Sequence, residues 1–191
     1  ILLISGTGSI AFGRNKQGVQ ARTGGWPLSI YGDEGSGVWV SRMALRHLGR
    51  RLDGAVPDSP LSMYMQEELH ISTRDELIRL ALTKGNTPET LPMLGKLVSR
   101  AAQEGDRYAE EILIKAAKEL MGLVEDMACI LDMERTEPDF PLGVWGSTLL
   151  KSQVLLEHFC TLFRARFSQA SVCFPQKEAV EGAVQMALAL L

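Results

Sequence analysis

The chain opens on Ile1-Leu-Leu-Ile-Ser-Gly-Thr-Gly-Ser9, a short apolar run that leads into a glycine-rich turn with two hydroxyl side chains. The apolar run predicts a β-strand over Leu2-Leu-Ile4. A glycine-rich turn after such a strand can aim its backbone N–H groups at a phosphate, together with the hydroxyls of Thr7 and Ser9. From the residues alone, the alternative is a plain β-turn.

Two familiar phosphate-binding loops do not match this turn. A GxGxxG loop needs its third glycine earlier than Gly13, and a P-loop needs Lys-Ser or Lys-Thr where Arg14-Asn15 follows Gly13. The next element, Ser9–Arg14, also reads as a strand rather than as a helix. What remains is a tight turn between two strands, formed by Gly6, Thr7 and Gly8.

A second glycine-rich stretch, Gly24-Gly-Trp-Pro-Leu-Ser-Ile-Tyr-Gly-Asp-Glu-Gly-Ser36, combines an aromatic ring with two carboxylates. Trp26 fits a core position, but the glycines before it would also let its indole lie open against a flat ligand such as a sugar ring. Asp33 fits a helix cap or a first-turn acid. The glycines around it allow close approach of the backbone to a ligand, so Asp33 is also a candidate for binding sugar hydroxyls.

A third stretch, Gly143-Val-Trp-Gly-Ser147, ends a predicted strand and precedes a predicted helix. Open α/β folds bind ligands at such strand ends. A glycine at this point would let an adenine or a ribose pack against the backbone, and the alternative is an ordinary strand-to-helix turn.

Composition limits the classes of partner. The chain has 191 residues, 46% of them hydrophobic, and a net charge of −3. This length is enough for one large core or two small ones. Without a long basic tract, nucleic acid is not expected as the main partner. The apolar stretches are too short or too often interrupted by charge to span a bilayer, and we expect no signal peptide before the first strand.

The cysteines and histidines form no metal-binding motif. The three cysteines are scattered without a CxxC pair, so we expect small core residues in a reducing cytosol and hence a cytoplasmic protein. The three histidines form neither HxH nor HExxH, and we expect them on helix surfaces or at caps. These residues are Cys129, Cys160, Cys173, His47, His70 and His158.

The periodicity of apolar residues predicts an α/β fold with a helical insertion at about 59–133. A hairpin over 9–23 turns at 15–18, where Gly18 is suited to a positive φ. Asp106–Met133 is the best patterned helix, and its apolar residues from Ala109 to Met127 form one stripe along it. Further strands are predicted over 140–145 and 170–174, and further helices over 36–51, 60–70, 73–82, 87–103, 149–167 and 177–191.

Read in order, these segments resemble the carbohydrate kinases of the N-acetylglucosamine kinase type. Those enzymes belong with the BadF/BadG/BcrA/BcrD ATPases in the superfamily of actin-like proteins, sugar kinases and heat-shock chaperones. The resemblance covers nearly the whole chain, and its specificity comes from the ordered set of motifs. The matching segments are 5–9, 24–26, 32–36, 101–109, 143–147 and the tail 175–187 with Glu181-Gly-Ala183.

The resemblance implies a ribonuclease H-like fold and a role for each motif. Gly6, Thr7, Gly8 and Ser9 would contact the β- and γ-phosphates of ATP. Gly143, Gly146 and Ser147 would form the adenosine motif, and Gly25, Trp26 and Asp33 would line the sugar site. Mg²⁺ would bridge the phosphates during in-line phosphoryl transfer. The expected partners are ATP and an amino sugar, which would be phosphorylated at its 6-hydroxyl. A second copy of the chain, forming a homodimer, is a further expected partner.

The resemblance also implies a missing half. The first residue is not Met and already lies inside a strand, so we expect one domain of a longer chain. In the superfamily, the catalytic aspartate lies in an N-terminal domain. We therefore assign no catalytic base to this chain and expect the chain alone to be inactive. Two alternatives stay open, an ATPase activator of a CoA-ester reductase or dehydratase and a non-catalytic sugar-sensing domain.

Overall fold

A computed structural model describes residues 1–26, 32–83, 91–177 and 179–188. The strands are β1 (Leu2–Ser5), β2 (Ser9–Arg14), β3 (Gln20–Gly24), β4 (Pro141–Trp145) and β5 (Ser171–Cys173). The helices are α1 (Gly37–Leu52), α2 (Pro60–Leu69), α3 (Arg74–Thr83), α4 (Leu91–Gln103), α5 (Arg107–Ile130), α6 (Met133–Thr136), α7 (Ser147–Lys151), α8 (Gln153–Arg166) and α9 (Ala179–Leu188). The predicted α/β class is therefore confirmed.

The strands form one mixed sheet in the order β3-β2-β1-β4-β5. β1 pairs antiparallel with β2, and β2 pairs antiparallel with β3, with Gly18 at φ 86° in the connecting hairpin as predicted. β1 pairs parallel with β4, and β4 pairs parallel with β5. Because β1 and β4 run parallel, the turns that follow them lie at the same edge of the sheet.

One face of the sheet is covered by α5, which packs against β1, β2 and β3 and also against α8. Leu3 and Ala11 point to this face and are fully buried. The predicted apolar stripe of α5 is confirmed, and its members Ala109, Ile112, Leu113, Ala116, Leu120, Leu123, Val124 and Met127 are all buried. In the block at about 59–133, the described elements are all helices, joined by short turns, while its status as a separate insertion stays a prediction.

Three helix boundaries depend on polar side chains. The prediction that Asp33 caps α1 or sits in its first turn is wrong, because Ser36 is the cap and accepts a hydrogen bond from the Trp39 N–H. At the start of α3, the Thr73 hydroxyl accepts the Glu76 N–H and the Glu76 carboxylate accepts the Thr73 N–H, which together form a capping box. The single helix predicted over 149–167 is interrupted at Ser152, whose backbone is extended, giving α7 and α8.

Two expectations about single residue types are partly wrong. Cys160 is buried as expected, but Cys129 and Cys173 are exposed. His70 caps α2, as expected. His47 is only 6% exposed, because its ring lies 4.5 Å from the Tyr108 ring and its Nε2 lies 3.3 Å from the Ser59 hydroxyl.

In the part of the chain that the structure describes, the helices are all too short or too polar to cross a membrane.

Candidate functional site

The turn between β1 and β2 is closed by a hydrogen bond from the Gly6 N–H to the Gly8 carbonyl at 2.9 Å. Thr7 at its tip is exposed. Neither the N–H groups of Thr7 and Gly8 nor the Thr7 hydroxyl donates a hydrogen bond to any residue that the structure describes. These three donors are therefore available to an anionic ligand.

The carbonyl groups of the same turn are used internally. The Gly37 N–H donates to the Gly6 carbonyl at 2.9 Å, and the Val38 N–H donates to the Thr7 carbonyl at 3.2 Å. The Thr148 hydroxyl donates to the Gly6 carbonyl as well, at 2.7 Å. The starts of α1 and α7 thus hold the turn from two sides, and the first N–H groups of α1 face the turn instead of a ligand.

Ser9 ends the turn and is buried, with 2% of its surface exposed. Its N–H donates to Oδ1 of Asp33 at 3.0 Å, and its hydroxyl donates to the Glu34 carbonyl at 2.7 Å. Its own carbonyl accepts from the Gly25 N–H at 2.9 Å. The Ser9 side chain is therefore committed to the protein, and its contribution is to support the turn.

Gly146 lets the ends of β1 and β4 approach each other. Its φ is 102°, and a Cβ at this position would lie 2.2 Å from the Ser5 carbonyl oxygen and 2.9 Å from the Gly6 nitrogen. No L-residue with a side chain fits there without moving the backbone. Ser147 follows as the first residue of α7, whereas Gly143 lies within β4 opposite Leu2, away from the strand end.

A cleft of about 480 Å³ opens beside Thr7 and Ser147. Val40 and Leu113 form an apolar part of its wall. The α4 helix contributes Gly95, Lys96, Ser99, Arg100 and Gln103, and α7 contributes Lys151. None of these α4 residues carries a local sequence signal for a binding site, because the sequence of an amphipathic helix does not indicate which loop the helix will pack against.

Three cations line this cleft, and they differ in their pairing. Arg100 donates to Glu104 at 3.0 Å and lies 4.1 Å from the centre of the Tyr64 ring. Lys96 and Lys151 form no ion pair with any residue that the structure describes. Two lysines therefore lie beside a turn whose N–H donors are not used by the described residues. This combination favours the binding of an anion in the cleft.

The residues predicted for a sugar site lie around Ser9. Trp26 is 48% exposed, which favours the open position over the core position. A Cβ on Gly32 would lie 2.2 Å from the Trp26 carbonyl oxygen, so the segments before and after 27–31 meet. Gly25 and Asp33 each hydrogen-bond to Ser9. The remaining part of this stretch, residues 27–31, lies outside the described residues.

Among the residues that the structure describes, no three His, Cys, Asp or Glu side chains are grouped so that they could hold a metal ion. The Asp33 carboxylate contacts the turn, and one of its oxygens accepts the Ser9 N–H.

A comparison with protein families decides the affiliation. The family described as BadF/BadG/BcrA/BcrD ATPases matches residues 1–187. The chain belongs to this family. The family assignment expected from the ordered motifs is thereby confirmed.

Two curated members resemble the chain over almost its full length. An N-acetylmuramic acid/N-acetylglucosamine kinase from Clostridium acetobutylicum is 29% identical over 187 residues, which are 98% of this chain and 60% of that protein. An N-acetyl-D-glucosamine kinase from Dictyostelium discoideum is 29% identical over 189 residues, 98% of this chain and 59% of that protein. The chain thus spans about 60% of the length of the curated relatives it matches.

Solved structures share the fold. A candidate N-acetylglucosamine kinase from Chromobacterium violaceum superposes with a TM-score of 0.76 at 24% identity, covering 96% of this chain and 57% of that one. A ROK family glucokinase from Streptomyces griseus, solved with glucose and AMPPNP, gives a TM-score of 0.51 at 18% identity, covering 92% of this chain and 55% of that one. The mixed α/β sheet of this chain is therefore one that sugar kinases use.

Proposed function

We propose that this BadF/BadG/BcrA/BcrD family chain is the ATP-binding part of a sugar kinase. Its acceptor would be N-acetylglucosamine or a close amino-sugar relative, phosphorylated at the 6-hydroxyl. The observation that carries the proposal is the turn around Thr7, whose donors are not used by any described residue and lie beside a cleft of about 480 Å³ with two lysines in its wall. The names of both curated relatives support the same class of reaction.

The nucleotide would lie along this cleft. The N–H groups of Thr7 and Gly8 and the Thr7 hydroxyl would donate to the phosphates, and Gly6 and Ser9 would hold the turn in shape. Lys96 and Lys151 would add positive charge. The adenosine end would contact Ser147 and the apolar wall, while Gly146 keeps β4 and β1 together. Gly143, which was assigned to the adenosine motif, would act only through β4.

The acceptor would lie on the other side of the turn, against Gly25, Trp26 and Asp33. Half of the Trp26 surface is exposed and could face a sugar ring. The Asp33 oxygen that does not bind Ser9 could accept a hydrogen bond from a sugar hydroxyl. For in-line transfer, the acceptor hydroxyl would have to reach the γ-phosphorus from the side opposite the bridging oxygen that leaves with ADP, so the two subsites would have to meet at residues 6–9.

We further propose that the chain is the C-terminal half of a two-domain kinase with a ribonuclease H-like fold. The strand order β3-β2-β1-β4-β5 supports the fold. The relatives' greater length supports a second domain, which would supply the catalytic base. ATP-dependent transfer would use Mg²⁺, but the described residues do not fit a protein-held Mg²⁺ site, so no step is assigned to the ion. The cytoplasmic location and the homodimer stay predictions.

The test is ADP release by the full-length protein with ATP and Mg²⁺. The acceptors would be N-acetylglucosamine, glucosamine, N-acetylmuramic acid, glucose and none. We expect ADP release only with one or two amino sugars. Equal release without a sugar would favour the ATPase-activator function, and no release despite sugar binding would favour a sensor.

A further inference from the structure

Asp33 occupies a position that the proposed acceptor role does not explain. Its backbone φ is 57°, in the left-handed region. Residues other than glycine pay a cost there, which is smallest for Asp and Asn. Gly32 and Gly35 on either side also have positive φ values, 140° and 74°. The chain therefore makes an unusual bend that points the Asp33 side chain back at the β1–β2 turn.

The contact made by this side chain is close and specific. Oδ1 of Asp33 accepts the Ser9 N–H at 3.0 Å. A Cβ on Gly8 would lie 2.3 Å from the same oxygen, so the carboxylate sits directly against the turn backbone. A hydrogen bond to a carboxylate is stronger than one between neutral groups. The conformation of residues 6–9 thus depends on Asp33.

Ser9 connects the two proposed subsites. Its N–H binds Asp33, its carbonyl accepts from Gly25, and its hydroxyl donates to the Glu34 carbonyl. The residues assigned to the acceptor are therefore anchored on the residue that ends the phosphate-binding turn. We therefore expect a substitution at Asp33 to change nucleotide binding even when no acceptor is present.

We propose that Asp33 is a positioning residue for the phosphate-binding turn, in addition to any contact with the acceptor. Through the Ser9 N–H it fixes the turn so that the Thr7 and Gly8 donors face the nucleotide. The expected effect on nucleotide binding rests on the proposed function, whereas the expected effect on the conformation of the turn does not.

Two substitutions separate this role from folding. Asp33→Gly removes the carboxylate and still accepts φ 57°, so it avoids the backbone strain that Asp33→Ala would add. Asp33→Asn keeps a neutral oxygen that can accept the Ser9 N–H. The matched control is Glu34→Gln, which removes the neighbouring charge and keeps the main-chain carbonyl that Ser9 uses.

The first measurement is hydrogen exchange of the Ser9 amide in the chain without ligand. We expect exchange to be faster by about tenfold in Asp33→Gly, close to the original rate in Asp33→Asn, and unchanged in Glu34→Gln. The melting temperature of each variant, measured in parallel, shows whether the whole fold or only the turn has loosened. Unchanged Ser9 exchange in a folded Asp33→Gly protein would overturn the proposal.

The second measurement is the affinity for AMPPNP in the absence of sugar. We expect Asp33→Gly to bind about tenfold more weakly, equivalent to about 1.4 kcal/mol, and Asp33→Asn to recover most of this loss. Sugar affinity of the full-length protein should fall in both variants. If the original protein binds no nucleotide, the proposed function fails while the exchange result still stands. If nucleotide affinity is the same in all variants, the positioning role is excluded.

Discussion

Gly146 is the residue on which the geometry of the candidate site depends most directly. It combines a positive φ with a backbone contact, because a Cβ there would lie 2.2 Å from the Ser5 carbonyl oxygen. Thr7 depends on this contact, since the turn begins immediately after Ser5. Substitutions of Gly146 and of the side chains beside the turn therefore test the geometry of the site.

Gly146→Ala should destabilise the fold by more than about 2 kcal/mol, because the cost of a left-handed alanine is added to a steric overlap with backbone. Gly54→Ala is the matched control, since Gly54 has φ 75° but no atom within 4 Å of a Cβ. We expect this control to cost only about 1 kcal/mol. Urea denaturation of both variants checks the difference, and equal losses would contradict the packing described at Ser5.

Thr7→Ala should weaken AMPPNP binding by about tenfold, because it removes a hydroxyl donor and leaves the backbone N–H groups in place. Thr7→Ser should retain most of the affinity. Titration calorimetry measures both. Since Thr7 is exposed and its hydroxyl has no partner among the described residues, neither variant should lower the melting temperature. An affinity for AMPPNP that is the same in Thr7→Ala as in the original protein would remove the turn from the nucleotide site.

Lys151→Met should weaken nucleotide binding severalfold, and the loss should shrink as salt concentration rises, because exposed charges are screened. Lys115→Met, on α5 at a different cavity, is the charge-matched control. The comparison needs AMPPNP titrations at two ionic strengths. Equal losses of AMPPNP affinity in the two variants would mean that binding depends on the net charge of the protein and not on the position of Lys151.

At the scale of helices and strands, most of the architecture follows from local sequence. β2 has the predicted bounds because a short run of apolar residues is followed by a turn that contains Gly18. The stripe of α5 is regular enough to specify both the helix and its buried face. The interruption at Ser152 was not predicted, because it depends on a tertiary contact in which the Ser99 hydroxyl donates to the Ser152 hydroxyl at 3.0 Å.

The candidate site was only partly predictable for the same reason. Thr7, Ser147 and Asp33 carry local signals, since they follow glycines at the ends of strands or precede helices. Lys96 and Ser99 reach the cleft only because α4 packs against α1. The burial of His47 likewise depends on Ser59 and Tyr108, which belong to other elements.

His47 ties α1 to α2, and burial lowers its pKa below the ordinary value of 6.5, against the opposing charge of Asp106. The unfolded chain takes up the proton more readily, so stability should be complete above pH 6.5 and fall as pH drops through the lower pKa of the folded state. Melting temperatures from pH 5 to 8 test this, with His47→Gln expected to flatten the curve.

Asp106 begins α5 and also holds the start of α2. Burial would raise the pKa of Asp106, but hydrogen bonds from Leu61, Ala109, Ser59 and Tyr108 outweigh it and leave the pKa below its usual value. Asp106→Ala should cost more than about 2 kcal/mol, because it removes a helix cap and a buried acceptor together. Urea denaturation measures the loss, and Asp106→Asn should recover part of it. A loss no larger than that of an exposed cap would contradict the double role.

At the scale of the whole molecule, the chain brings three distant parts of its sequence to one edge of a mixed sheet. The turn at 6–9, the start of α1 and the start of α7 are joined by hydrogen bonds to the Gly6 carbonyl. A cleft lies beside this junction, and its Lys96 and Lys151 form no ion pair with the described residues. Asp33 contacts the junction through the Ser9 N–H. We expect the nucleotide to bind in this cleft.

Hydrogen exchange of this chain with and without AMPPNP tests that claim most directly. The account predicts that the nucleotide slows exchange in residues 5–9, in the part of α4 from 95 to 103 and at the start of α7. It also predicts little change in α2, α3 and α9. Tight binding of AMPPNP with protection confined to other segments, or no protection at 5–9, would contradict it.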